Sequence, residues 1–227
     1  MSDEHVVEYD ENTISVLEAV WGEGFTSPGG TEEVERVLGV DIEENLVDLS
    51  QTLADKNGVS DICSFQQVDP GPLPFESESF DIVFSKDSII HITDKFGLAE
   101  NVYQLLAPGG LFLASDWLCG YEGEASPQMQ AYIDAEGLDF GLASANIYRQ
   151  ALEAAGFVDI EIEERNAWYR NQARIERDNL AGPLSDQLAS RVGENFLKRQ
   201  IDVWNKMIVV LDSGEHRPTL IRARKNS

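Results

Sequence analysis

Between Phe80 and Gly110 the chain runs Asp81-Ile82-Val83-Phe84, a polar turn with Ser85, Lys86, Asp87 and His91, a helix-forming stretch, and Leu106-Ala107-Pro108-Gly109-Gly110 leading into a second apolar run. A strand, a helix and another strand in that order form a crossover unit, and such units build parallel sheets with helices on both faces. The alternation extends upstream. Val40-Asp41-Ile42 reads as a strand, Glu44 to Lys56 as a helix, Ser64 to Val68 as a strand, and Pro70-Gly71-Pro72-Leu73-Pro74 as a rigid loop. The expected fold class is α/β.

Ahead of this region, Asp10 or Asn12 caps a helix whose Ile14, Leu17, Ala19, Val20 and Trp21 share a face, ended by Gly22 and Gly24. Ser27-Pro28-Gly29-Gly30 is a turn, and Thr31 followed by Glu32 and Glu33 starts a second helix through Leu38. Beyond Trp117 the pattern changes. Gln128 to Glu136 and Ala145 to Ala155 read as helices and Val158 to Ile162 as a strand. Two long amphipathic stretches reach Leu211, and Pro218 to Ala223 is a last, antiparallel strand. A chain of 227 residues buries one good core. The expectation is a single domain over 1–227: lid helices in 1–38, a core in 39–117, a helical cap with one sheet strand in 118–217, and the last strand and tail in 218–227.

The formal net charge of −24 repels phosphate backbones and anionic lipid, which argues against nucleic-acid and membrane partners. The acids are spread along the chain and read as a solvated acidic surface. No apolar run approaches a membrane span, and Met1 to Asp10 is acidic where a leader would be basic, so a soluble, cytoplasmic protein is expected. Cys63 and Cys119 have neither zinc spacing nor a secreted context and are read as ordinary reduced residues, with no metal.

A parallel sheet binds its ligand at the carboxyl ends of its strands. Asp41 stands at one such end. Its carboxylate suits two sugar hydroxyls, and equally suits the start of the helix that follows. Asp69 closes the next strand, where it can accept from an exocyclic amine or cap the Pro70 turn. Asp87 and His91 follow a third strand, and the set reads as a lined cleft.

Tyr9, the Gly22-to-Gly30 stretch, Gly39-Val40-Asp41-Ile42, Ser85-Lys86-Asp87 with His91, and Leu106 to Gly110 together resemble class I S-adenosylmethionine-dependent methyltransferases. The similarity is to the small-molecule N-methyltransferases related to phosphoethanolamine and sarcosine/dimethylglycine methyltransferases. It is good from Tyr9 to about Trp117 and loose beyond. The resemblance implies a Rossmann-like sheet and S-adenosylmethionine as cofactor. Asp41 would bind ribose and Asp69 the adenine, with Ile42 and Ser85 in the cofactor site, and Thr26 and Ser27 near the methionine end. His91, Tyr9 and Asp87 would form the catalytic set around the reacting amine. Methyl transfer from a sulfonium is an in-line displacement that needs alignment and a deprotonated amine, and a histidine with a reference pKa of about 6.5 suits that proton transfer. The implied substrate is a small-molecule amine and the implied state a monomer. Leu17 stands where the phosphobase enzymes have a second tyrosine, and Gly137-Leu138-Asp139-Phe140 has no basic residue, which argues against a phosphorylated substrate. Trp117, Tyr121, Tyr132, Phe140, Trp168 and Tyr169 are either an aromatic wall for an ammonium group or the core of the cap.

The family has a central strand, a Gly-rich turn and a helix where Glu35-Arg36-Val37-Leu38 runs straight into Gly39-Val40-Asp41. A strand with its crossover takes roughly thirty residues or more. Without it, the strands ending at Asp41 and Phe84 either close up and pair or keep unpaired backbone, and the amides that face the cofactor's carboxylate are lost. An impaired methyltransferase-like protein that acts by binding a partner is therefore the alternative. A nicotinamide oxidoreductase is disfavoured, because the chain has neither the Gly-x-Gly-x-x-Gly fingerprint nor a Tyr-x-x-x-Lys pair.

Overall fold

The computed structural model describes residues 36–227, which fall into two compact units, one ending at Leu73 and one running from Pro74 to Ser227. Tyr9, Thr26 and Ser27, and the helices and Ser-Pro-Gly-Gly turn expected up to residue 35, lie outside the described residues.

In the first unit, β1 (Val37–Asp41), α1 (Glu44–Lys56) and β2 (Cys63–Gln67) form a crossover with a parallel strand pair, Val37 opposite Cys63 and Asp41 opposite Gln67. Val37 and Leu38 are thus strand residues, where a helix through Leu38 was expected. Tertiary pairing decides the matter: the Val37 amide donates to the Ile62 carbonyl at 2.8 Å. Gly39 is opposite Phe65, and a Cβ there would fall 2.5 Å from the Phe65 ring, so only glycine lets the two strands pack in this register.

The second unit begins with β3 (Phe80–Lys86), a 3-10 turn (Ile89–His91), α2 (Lys95–Leu105) and β4 (Leu106–Cys119). Next come α3 (Pro127–Glu136), α4 (Ala145–Ala155) and β5 (Phe157–Glu164). It ends with α5 (Asn166–Ala181), α6 (Ser185–Val192), α7 (Glu194–Ser213) and β6 (His216–Lys225). The sheet order is β3-β4-β6-β5. β3 and β4 are parallel, and β6 lies antiparallel to both of its neighbours.

Two details differ from the sequence expectation. The Leu-Ala-Pro-Gly-Gly segment lies inside β4: Leu106 pairs with Phe80, pairing resumes at Leu111 opposite Ile82, and Ala107 to Gly110 bulge out with Gly109 at φ 83°. The two amphipathic stretches after β5 are three helices, because Gly182-Pro183 and then Gly193, at φ 86°, interrupt them.

Alternate β4 residues Phe112, Ala114 and Leu118 face a core completed by Val102 of α2, Leu152 of α4 and Phe157 of β5. A second core joins Met129 and Tyr132 of α3 to Ala173 of α5 and Val203, Met207 and Leu211 of α7. Among the described residues β1 pairs only with β2, and β3 only with β4, so each keeps one edge without a strand partner. β3 is apolar on both faces, but only Val83 meets the core; Ile82 and Phe84 are 54% and 65% exposed. That is the sequence of a strand made to be covered on both sides.

Candidate active site

Each unit brings part of the expected site together. In the first, Asp41 ends β1, and its carbonyl accepts from the Val68 amide at 3.0 Å, so Asp69 follows directly beside it at the same carboxyl edge. Asp41 Oδ1 also accepts from the Glu43 amide at 2.9 Å, which sets the turn into α1. Ile42 is exposed, and its carbonyl accepts from Gln67 Nε2 at 3.0 Å. The loop carrying Asp41 and Ile42 is therefore tied to the end of β2.

In the second unit Ser85 and Asp87 sit at the end of β3, and Asp87 takes φ 53°, a left-handed conformation costly for a residue with a Cβ. Its amide donates to the Ser115 carbonyl at 2.9 Å, and its carboxylate pairs with Lys86. This turn delivers His91 at the end of the short 3-10 turn.

His91 is held by one informative contact. Its Nδ1 is 2.8 Å from the Asp139 carbonyl oxygen. A carbonyl oxygen only accepts, so Nδ1 carries the hydrogen and, in the neutral ring, Nε2 carries the lone pair. The ring also meets Phe140, with centroids 5.6 Å apart. The segment that supplies both contacts is anchored by the Gly141 amide, which donates to the Ile90 carbonyl at 2.8 Å. A Cβ on Gly141 would lie 2.7 Å from Thr93 Cα, so the two backbones touch.

Residues that the sequence reading missed support this turn. Asp116, buried at the end of β4, accepts from the Ser88 and Ile89 amides, and Lys95, buried at the start of α2, donates to the Ile89 and Ile92 carbonyls. Both carried a signal. Asp116 occupies the inward position of the Phe112, Ala114, Leu118 alternation, and Lys95 is a cation in a first helical turn, where the dipole disfavours it.

The six aromatics considered as an ammonium wall are largely packed into the second core. Tyr132 is buried there, with Trp117, Tyr121, Phe140 and Tyr169 against it, while Trp168 is exposed. Burial pushes the Tyr132 and Tyr169 hydroxyls up, and each donates to a carboxylate, Glu136 at 2.9 Å and Glu176 at 3.0 Å. A cavity of about 470 Å³ opens between α3 and α7, walled by Glu136, Gly137, Phe196, Arg199 and Asp202 among others. Arg199 is thus a basic residue beside Gly137 that the local sequence did not reveal. Among the described residues no cluster of histidine, cysteine and acid side chains is arranged to hold a metal, and no helix is long and apolar enough to cross a membrane.

The fold so described, a crossover sheet with an antiparallel last strand and a helical cap, is the class I methyltransferase fold. A phosphoethanolamine N-methyltransferase 2 of Haemonchus contortus, solved with S-adenosyl-L-methionine, superimposes with a TM-score of 0.76 at 21% identity, covering 98% of this chain and 59% of that one. A putative sarcosine dimethylglycine methyltransferase of Galdieria sulphuraria gives 0.71 at 19%, over 84% of this chain and 70% of the other. In sequence, the family profile described as a methyltransferase domain matches residues 17–114. Phosphoethanolamine N-methyltransferase 1 of Triticum aestivum is 30% identical over 255 residues, 96% of this chain and 50% of the relative. The chain is accordingly similar to the class I S-adenosylmethionine-dependent methyltransferases, with phosphoethanolamine N-methyltransferases among its relatives. It spans about half the length of the curated relatives it matches. The wheat alignment runs over 255 positions against 227 residues in this whole chain, so at least 28 positions of that relative have no counterpart here.

Proposed function

We propose that this chain is an S-adenosylmethionine-dependent methyltransferase acting on a small-molecule amine, with His91 as the base. The observation that carries the reading is the His91 Nδ1 contact to the Asp139 carbonyl, because it turns the basic Nε2 away from that backbone partner. The paired acids Asp41 and Asp69 at one strand edge have the acceptor chemistry that ribose hydroxyls and an adenine amine require, so the residues present fit this cofactor. By the family resemblance Ile42, Ser85, Thr26 and Ser27 are assigned to cofactor binding.

When bound, S-adenosylmethionine supplies a methyl group on a sulfonium, open to in-line displacement. Asp87 orients the attacking amine through its charge. His91 Nε2 would take the amine's proton, leaving the nitrogen lone pair free to displace the neutral thioether from the methyl carbon, and Tyr9 is assigned to the same catalytic set. The cavity between α3 and α7 has three acids, Asp134, Glu136 and Asp202, against one cation, Arg199. Its lining includes neither His91 nor Asp87, and the choice of an unphosphorylated amine rests on the Gly137-Leu138-Asp139-Phe140 segment, which has no basic residue. No nucleic acid or membrane is needed, and the chain is proposed to act as a cytoplasmic monomer. Assay of purified protein with labelled cofactor and a panel of ethanolamine, sarcosine, dimethylglycine and phosphoethanolamine tests the reading. Transfer to the unphosphorylated amines supports it, whereas transfer to phosphoethanolamine alone would overturn the substrate class.

A further inference from the structure

The turn from Ser88 to Ile92 is three helical residues with their flanks, yet it takes up two buried charges. On one side Asp116 Oδ2 accepts from the Ser88 amide at 3.0 Å and the Ile89 amide at 2.8 Å, while its Oδ1 accepts from the Trp117 amide at 2.7 Å. On the other side Lys95 Nζ donates to the Ile89 carbonyl at 2.6 Å and to the Ile92 carbonyl. The two residues are 2% and 3% exposed. Desolvation lowers the Lys95 pKa to about 8 while the Asp116 charge holds it up, and the Asp116 carboxyl is itself raised by burial.

Capping so short a turn does not require ions. Water or a neutral side chain satisfies a 3-10 turn, and replacing buried ions by apolar groups of similar volume is often neutral or stabilising. What two fixed charges add is definition: the amide end and the carbonyl end of the turn are each pinned to an atom on a different element, β4 and α2. Gly141 pins the Ile90 carbonyl from a third direction. The group displayed by this frame is the His91 imidazole.

We propose that Asp116 and Lys95 are positioning residues for His91, fixing the turn so that its Nδ1–H stays on Asp139 and its Nε2 stays at one place. This rests on the reading of His91 as the base. Neither residue touches the reacting atoms; both act through the backbone that carries the imidazole.

The test is a cycle of Asp116→Asn, Lys95→Met and the double variant in the full chain. It is read by melting temperature, by kcat and KM, and by the nitrogen NMR signals of His91. Each single variant leaves one buried charge without its counter-charge and should melt lower, and the double variant should recover much of that loss. It should not recover turnover: kcat is expected about a hundredfold down, the scale set by an ångström of misplacement, with cofactor KM changed little. His91 should show a mixture of tautomers in place of the single Nδ1–H form. A double variant with wild-type kcat and a single Nδ1–H tautomer would overturn the proposal, and one that fails to fold would assign the pair to stability and overturn it too. If His91→Ala turns over at the wild-type rate, the base reading fails on its own. The NMR comparison still decides whether the pair positions the ring.

Discussion

The imidazole of His216 lies flat on the indole of Trp117, with centroids 4.5 Å apart and planes 7° from parallel. Tyr132 closes a second side at 5.1 Å, and the ring is 1% exposed, with no hydrogen-bond partner for Nδ1 among the described residues. His216 begins β6 while Trp117 is near the end of β4, so the stack joins the sheet to the core of the cap. Such a ring must remain neutral, and burial lowers its pKa from 6.5 to about 3.

A pH dependence of stability follows. The unfolded chain takes up a proton on this histidine as the pH falls through about 6.5, whereas the folded chain does so only near 3. The contribution is whole above pH 6.5 and is lost progressively toward pH 3, reaching of the order of 5 kcal/mol. Denaturant melts between pH 7 and 4 should show His216→Phe losing less stability than the wild type over that interval. Parallel curves for the two proteins would show that the ring is reached by solvent.

His91→Ala should lower kcat by about a hundredfold or more, the usual span for a general base, while cofactor affinity measured by calorimetry stays within about threefold. Equal losses in both would mark the ring as part of the frame that packs on Phe140. His91→Gln keeps a donor for the Asp139 carbonyl but has no base, so its activity should match that of the alanine variant.

Gly141 allows a sharper test of the same geometry. A methyl group there would meet Thr93 Cα at 2.7 Å and the Thr93 nitrogen at 2.8 Å, both backbone atoms that cannot swing aside. Gly141→Ala should displace the segment that holds His91, cost about 1 to 3 kcal/mol of stability as overpacking does, and weaken turnover beyond what the lost stability explains. Thermal melts and kcat measured well below the melting range separate the two effects. Unchanged values in both would mean that the segment and the turn move together as one piece.

The alternation of strands and helices was legible because each has its own period, and the acids at the ends of β1 and β3 stand out next to apolar runs. The frame around His91 was not legible. Asp116, Lys95 and Gly141 are far apart in sequence and do their work through backbone atoms, so no spacing motif joins them. Asp116 alone broke the alternation of β4, and a charge at that inward position announced a buried partner. Val37 and Leu38 misled for a different reason: they continue an acid-led helical pattern, but pairing with β2 and the fit of Gly39 on Phe65 outweigh that local preference. Arg199 reaches the Gly137 region from another helix, a proximity only the packing of α7 on α3 creates.

Asp41→Asn and Asp69→Asn should each weaken cofactor binding by about ten- to a hundredfold, since a hydrogen bond involving a charged group contributes about 1.5–3 kcal/mol. Asp41 carries a second duty, because its Oδ1 accepts from the Glu43 amide at the turn into α1. The asparagine retains that acceptor, so folding should survive while affinity falls. Calorimetric titration of both variants decides this, and an unchanged dissociation constant for Asp41→Asn would leave its carboxylate with the turn alone.

The last prediction concerns the open edges of β1 and β3. Val37, Val40 and Ile42 on one, and Ile82 and Phe84 on the other, are exposed apolar side chains beside strand edges without partners among the described residues. A relative of the chain has at least 28 positions that this one lacks, close to the length of a strand with its crossover helix. Because β1 starts at Val37, a restored strand and Gly-rich loop belong ahead of that residue, where their backbone amides would face the carboxylate of the cofactor's methionine end. Two such amides, at about 1.5–3 kcal/mol each, should tighten cofactor binding by roughly two powers of ten or more. Covering the apolar side chains should raise the melting temperature at the same time. Titration of S-adenosylmethionine into both forms gives the answer, and matching dissociation constants would mean that the chain as it stands already supplies the donors.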